Sequence, residues 1–155
     1  MTNGDDVTTK LRQRLSQFDL LNAPGYLLRR NHQRSLEIFV RHVGADVTRQ
    51  QVALLITLAK NPGASQRKLV ETMGIDKSTL KEMLERMVAR GWVKRSRDPG
   101  DKRAWMMVIT PGGEALLAER IQSVAAAQQE ILSALPEEDR AVFLRCLRLL
   151  IGRDG

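Results

Sequence analysis

The stretch Asp76-Lys-Ser-Thr-Leu-Lys-Glu-Met-Leu-Glu-Arg-Met-Val-Ala-Arg-Gly-Trp-Val-Lys-Arg-Ser-Arg97 decides the fold, and Asp98-Pro-Gly-Asp-Lys-Arg-Ala104 completes it. Asp76 has the side chain of a helix cap, because its carboxylate can accept from the amides of the first turn. Leu80, Met83, Leu84, Met87 and Val88 follow on one face at about 100° per residue, so the helix is expected to bury that stripe and to close at Gly91. The period then changes. Residues 92–97 and 104–109 read as two strands, and Asp98-Pro-Gly-Asp101 between them is turn chemistry.

Upstream, Ser65 caps a short helix that runs through Met73, and Gly74 supplies the turn after it. Two short helices joined by a tight turn and followed by a basic hairpin make a winged helix-turn-helix. Further out, Thr48 and Gln51 have capping-box spacing, Val52, Leu54, Leu55 and Leu58 recur at helical spacing, and Asn61-Pro-Gly63 stops that helix. Pro24 opens a helix that lasts until Gly44, Thr110 and Pro111 open one that runs to about residue 134, and Pro136 opens the last. Residues 1–17 read as a flexible, loose arm, helical only near its end. The expected fold is mainly α with a small β-hairpin wing, the winged helix-turn-helix occupying residues 48–110.

The 155 residues suffice for one domain with helical extensions. Lys and Arg number 25 against 18 Asp and Glu, a formal charge of +7 with a sequence pI near 10.2, a balance that favours a polyanionic partner. The excess is concentrated: residues 65–110 carry 11 basic and 6 acidic side chains, whereas residues 111–155 carry 5 and 7. A hydrophobic content of 43% excludes a mostly disordered basic tail. A single cysteine excludes an intrachain disulfide framework and a Cys-rich zinc site, and His32 and His42 have no matching acidic or thiol set for a metal. With no nucleophile–base pair and no Gly-rich phosphate loop, neither an enzyme nor a cofactor is expected. No apolar run approaches the roughly 20 residues that span a bilayer, and the polar start has no secretory pattern, so the expectation is a cytoplasmic protein without membrane contact.

A helix of this size can enter the major groove, where each base pair shows its own donor and acceptor pattern, and its N-terminal half does the reading. With the apolar stripe inward, the outward candidates are Lys77, Ser78, Thr79, Lys81, Glu82 and Arg86. Ser78 and Thr79 suit base edges or phosphates, Lys81 phosphate or guanine, and Glu82 cytosine N4. Ser65 and Gln66 open the preceding helix, whose first amides suit a phosphate. The hairpin adds Lys94, Arg95, Arg97, Lys102 and Arg103, with Arg103 placed to enter the minor groove and Asp98 or Asp101 to hold its guanidinium. Singly, each has a plainer role, since a Ser-Thr pair at a helix start is most often a cap and a charge run most often a solvated face. The combination points to double-stranded DNA.

Several stretches resemble MarR-type regulators: Thr48-Arg-Gln-Gln-Val-Ala-Leu-Leu55, Pro62-Gly-Ala-Ser-Gln-Arg-Lys-Leu69, Gly74-Ile-Asp-Lys-Ser-Thr-Leu80, Arg90-Gly-Trp-Val-Lys-Arg95, the wing Asp98-Pro-Gly-Asp-Lys-Arg-Ala104, and Thr110-Pro-Gly-Gly-Glu-Ala-Leu-Leu117. The resemblance spans roughly residues 24–151. It implies a homodimer joined by interlocking helices at residues 18–47 and 111–155, a pseudopalindromic operator, and repression relieved by a small ligand. It makes Asp101 and Arg103 the paired wing residues. Lys81 departs from the small polar residue frequent in the family, and Trp92 from a leucine.

Pro24-Gly-Tyr-Leu-Leu-Arg-Arg-Asn-His-Gln-Arg34 is similar to family members that govern aromatic-acid catabolism. The resemblance implies a small anionic effector, an aromatic acid or its aryl-coenzyme A thioester, with Tyr26, Arg29, Arg30, His32 and Arg34 as candidate contacts. The same arginines equally read as a solvated face. Cys146 offers an alternative, an oxidation-sensing repressor, although free cysteine among Phe143, Leu144 and Leu147 reads as buried and inert. Other classes are a winged helix for protein contact or nonspecific DNA packaging, and a small thioester-acting enzyme.

Overall fold

The computed structural model describes residues 3–97 and 105–152. Among these, seven α-helices and one hairpin follow in the order α1 (Asn3–Ser16), α2 (Pro24–Val43), α3 (Arg49–Lys60), α4 (Gln66–Met73), α5 (Lys77–Ala89), β1 (Val93–Arg97), β2 (Trp105–Ile109), α6 (Pro111–Leu132) and α7 (Glu137–Leu150). The architecture is mainly α with a β-hairpin wing. The chain divides into two compact units, Met1–Glu37 and Ile38–Gly155.

In the first unit, α1 stands where a loose arm is expected from the polar composition. Val7, Leu11 and Leu15 recur every fourth residue along it. Lys10 Nζ donates to Asp6 Oδ2 at 2.6 Å, one turn back. Both are helix-forming patterns that outweigh overall polarity.

The second unit is built on two apolar clusters. The larger joins Leu54, Leu55 and Leu58 of α3, Leu69 of α4, Leu80, Met83, Leu84 and Met87 of α5, and Val93 and Met107 of the hairpin. The smaller joins Phe39 and Val43 of α2 to Val47, Val52 and Val124. Trp92, Leu116 and Leu117 pack against both. Each fully buried leucine contributes about 1.5–3 kcal/mol. Val88 departs from the stripe that the sequence suggests: it is 44% exposed and lines a cleft beside the hairpin, because the hairpin covers only one flank of α5.

The caps form as read. Thr48 and Gln51 make a reciprocal capping box, Ser65 caps α4, and Gly74 ends α4 in the left-handed region at φ 63°. β1 and β2 pair antiparallel from Val93↔Ile109 to Arg97↔Trp105, with Trp92 in the preceding turn rather than in the strand. Thr110 Oγ1 donates to Gly91 O at 2.5 Å and accepts from Gly113 N at 3.1 Å, which pins the start of α6 to the end of α5.

The loop after α2 is tied from two sides. Arg120 of α6 donates to Val43 O at 2.5 Å, and Arg90, the C-cap of α5, donates to Asp46 O at 2.6 Å. The first bond satisfies the last carbonyl of α2, which the helix end leaves unpaired, and the second ties the loop itself to α5. Arg41 and His42, near the end of α2, pair with Glu130 of α6, His42 Nε2 lying 2.6 Å from Glu130 Oε2. The hydrogen bond from His42 and the charge of Arg41 hold the Glu130 carboxyl below the usual carboxylate range.

α7 contributes no buried residue. Cys146 is exposed, which corrects the expectation of a buried thiol: its apolar neighbours Leu144, Leu149 and Leu150 are exposed with it. Among the described residues, no helix is long and apolar enough to cross a membrane.

Candidate nucleic-acid interface

α5 begins at a cap that takes up the hydroxyl protons of its first turn. Asp76 Oδ1 accepts from Thr79 N at 2.9 Å, Asp76 Oδ2 accepts from Thr79 Oγ1 at 2.6 Å, and Ser78 Oγ donates to the same carboxylate. Ser78 and Thr79, which the sequence offers for base edges or phosphates, therefore have their hydroxyl protons committed within the chain, and only acceptor capacity is left on their oxygens. The hydroxyls of Ser78 and Thr79, with the Thr79 amide, push the Asp76 carboxyl well below its ordinary 3.8. A depressed carboxyl stabilises the fold above its unfolded value and loses that contribution as pH falls through the folded one. Asp76→Ala should thus lower the thermal midpoint at pH 7, and the gap from the parent chain should close only in strong acid. A gap that stays constant from pH 7 to pH 2 would contradict the cap.

The outward face of α5 presents Lys77, Lys81, Glu82, Glu85 and Arg86, all exposed. Lys81 Nζ lies 3.8 Å from Glu85, and Arg86 Nη1 lies 3.9 Å from Glu82. Exposed pairs this long contribute little, so phosphates can displace them. The start of α4 is held to the wing by a backbone bridge between Ser65 and Met106, while Ser65 Oγ accepts from Lys68 N at 3.3 Å.

α5 and the hairpin enclose a cleft of about 440 Å³, floored by Leu84, Val88 and Met107 and rimmed by Gln66, Lys77, Lys81 and Arg95. Gln66, Lys77, Lys81 and Arg95 are side chains that the sequence assigns to DNA, and Glu85, which pairs with Lys81, lines the same cleft. Arg95 and Arg97 both stack on Trp105, their Cζ atoms 4.1 and 4.0 Å from the ring centroid. Sequence reading passed over Trp105, although the period of two would have aligned it with both arginines once the register was known. Asp98, Asp101, Lys102, Arg103 and Ala104 lie outside the described residues.

A second cleft, about 570 Å³, opens on the other side of α3. Phe39, Val52, Ile56, Met73 and Val124 make it apolar, and Arg49 and Gln128 stand in its wall. An apolar cavity of this size with a few polar groups has the form of a small-molecule site. Sequence reading passed over Arg49, because no motif marks a residue that stands in a cleft lined by four helices. In the first unit, Tyr26 gathers Arg29 and Arg30, whose Cζ atoms lie 5.3 and 5.9 Å from its ring, and Arg30 donates to Tyr26 Oη at 3.1 Å. Arg30 and Arg34 line a shallow surface with Glu37. His32 lies on the same helix, where its carbonyl accepts from Ser35 Oγ at 2.8 Å. Among the described residues, no three His, Cys, Asp or Glu side chains converge as a metal site.

Comparison with known proteins gives consistent results. The profile of the MarR family matches residues 45–104. The transcriptional regulator HosA of Escherichia coli O111:H- is 36% identical over 112 residues, 72% of this chain and 83% of HosA. The HTH-type transcriptional repressor NicR of Pseudomonas putida is 30% identical, with 88% and 87% covered. The structure of Bordetella bronchiseptica BpsR, solved to explain regulation of its DNA binding by 6-hydroxynicotinic acid, superposes with a TM-score of 0.82 at 28% identity, covering 88% of this chain and 99% of BpsR.

Proposed function

The chain belongs to the MarR family of transcriptional regulators, and from that premise we propose that it is a homodimeric repressor released from a pseudopalindromic operator by a small aromatic acid or its coenzyme A thioester. The observation that carries the DNA part is the groove between α5 and the hairpin, where Lys77, Lys81 and Arg95 outnumber the single acidic lining residue, Glu85. Family members are regulators, so the bound effector is a signal rather than a substrate. NicR, named a repressor, supports repression, and BpsR, whose DNA binding is regulated by 6-hydroxynicotinic acid, supports an aromatic acid.

The cleft under α3 is the effector site of this proposal. Its apolar wall takes the ring, and Arg49 takes the carboxylate or the thioester oxygen. α3 and α4 line that cleft and also pack on α5 through the larger core. A ligand that favours one arrangement of these helices therefore changes operator affinity, and DNA changes ligand affinity by the same factor. Tyr26, Arg29, Arg30, His32 and Arg34 remain separate candidates for contact with an anionic effector.

The test is a mobility shift on the DNA upstream of the gene, with benzoate, 6-hydroxynicotinate or benzoyl-coenzyme A added. Release by at least one acid or thioester, lost in Arg49→Ala while DNA binding persists, is expected. Arg103→Ala should weaken binding and reduce the salt slope by about 1 for each phosphate it no longer neutralises. Equal affinity for operator and random duplex would overturn the repressor reading in favour of nonspecific packaging. Release by peroxide that disappears in Cys146→Ser would replace the aromatic signal with an oxidative one.

A further inference from the structure

The outer half of the hairpin holds an arrangement that the winged architecture does not require. The register sets Arg97 opposite Trp105 and Arg95 opposite Met107. Arg95, Arg97 and Trp105 therefore share the sheet face that buries Val93 and Met107 nearer its base. Both guanidiniums lie about 4 Å from one indole centroid, well inside the roughly 6 Å reach of a cation–π contact. Trp105 is 38% exposed, so it is no core anchor; Met107 fills that role two residues on.

A guanidinium stacked by its face keeps its N–H donors in the plane, pointing away from the ring. That edge is the one by which arginine grips phosphate. Two like charges on the same strand face repel and lose rotamer freedom when fixed. The negative face of the indole offsets the repulsion and fixes the side chains before DNA arrives. Arg95 also borders the groove that Lys77 and Lys81 line, which directs the pair toward DNA lying on α5.

We propose that Trp105 is a positioning residue for DNA binding, holding Arg95 and Arg97 edge-outward for phosphates beside the groove that α5 reads. The inference rests on the DNA-binding reading above, and its test separates the two. Affinity is measured by fluorescence anisotropy on a duplex that the parent chain selects from a randomised library. Trp105→Leu, which keeps bulk and loses the aromatic face, should weaken binding about tenfold, while Trp105→Phe restores most of it. The salt slope should stay at the parent value in both, because no cation is removed, and should fall in R95A/R97A. In the R95A/R97A background, Trp105→Leu should change affinity by less than about twofold. Should Trp105→Leu unfold the hairpin, R95K/R97K gives the same test: charge is kept, planar stacking is lost, and binding should still weaken. Parent-like binding by Trp105→Leu or by R95K/R97K overturns the proposal, as does an undiminished loss without the arginines, which would place the indole itself on DNA. Failure of the parent chain to enrich any duplex sinks the DNA reading, and this inference with it.

Discussion

Gly113→Ala should destabilise the protein by about 3 kcal/mol, the upper part of the range for overpacking a filled interior. Gly113 lies in the first turn of α6, buried against the turn that leaves α5. A Cβ there would stand 2.1 Å from the Trp92 carbonyl oxygen and 2.9 Å from the Ile109 side chain. The first neighbour is backbone, held in place because Thr110 N donates to the same Trp92 oxygen at 3.0 Å. Relief requires moving α6 away from the hairpin, which opens the junction where Trp92, Leu116 and Leu117 join both clusters. Gly112→Ala is the internal control. Its Cβ would meet the Gly91 carbonyl at 3.2 Å and otherwise only Thr110 Oγ1 at 3.7 Å, and alanine is favoured over glycine in a helix by about 1 kcal/mol. Urea denaturation should show a large loss at 113 and a small change of either sign at 112. Equal losses at the two positions would mean that glycine is required for its backbone and not for the close approach.

The features legible in the sequence were those whose causes are local. Asp76, Ser65 and Thr48 cap their helices because a short acceptor lies three residues from an unpaired amide, a relation confined to one turn. The helix-turn-helix and the strands followed from periodicity alone. The features that escaped depend on distance along the chain. Glu130 claims Arg41 and His42 from almost 90 positions away, a tie between helices that no local pattern announces. Arg49 becomes a candidate only when α2, α3, α4 and α6 line one cleft. Trp105 meets Arg95 and Arg97 only through the strand register, which the period within either strand leaves undetermined. Ser78 and Thr79 take the local cap role that the sequence already marks as the commoner one, their hydroxyls donating to Asp76.

Leu80→Ala should cost about 3 kcal/mol, whereas Val88→Ala should stay within about 0.5 kcal/mol, although both belong to the apolar stripe of α5. Leu80 is 1% exposed, within the larger core, and Val88 is 44% exposed. Truncating Leu80 leaves a cavity between α5 and the helices beneath it, and α5 is also the helix whose outer face carries Lys77, Lys81 and Arg86. The two changes therefore separate stability from DNA contact. Leu80→Ala should reduce operator binding mainly near its lowered melting point and regain most of it on cooling, because every phosphate and base partner is still present. Val88→Ala should leave melting unchanged at every temperature tested. It sits in the floor of the groove ringed by Lys77, Lys81 and Arg95, so any effect it has on affinity reports on the groove and not on the fold. Similar melting losses for the two variants would show that the hairpin closes over Val88 in solution and that the groove is part of the core.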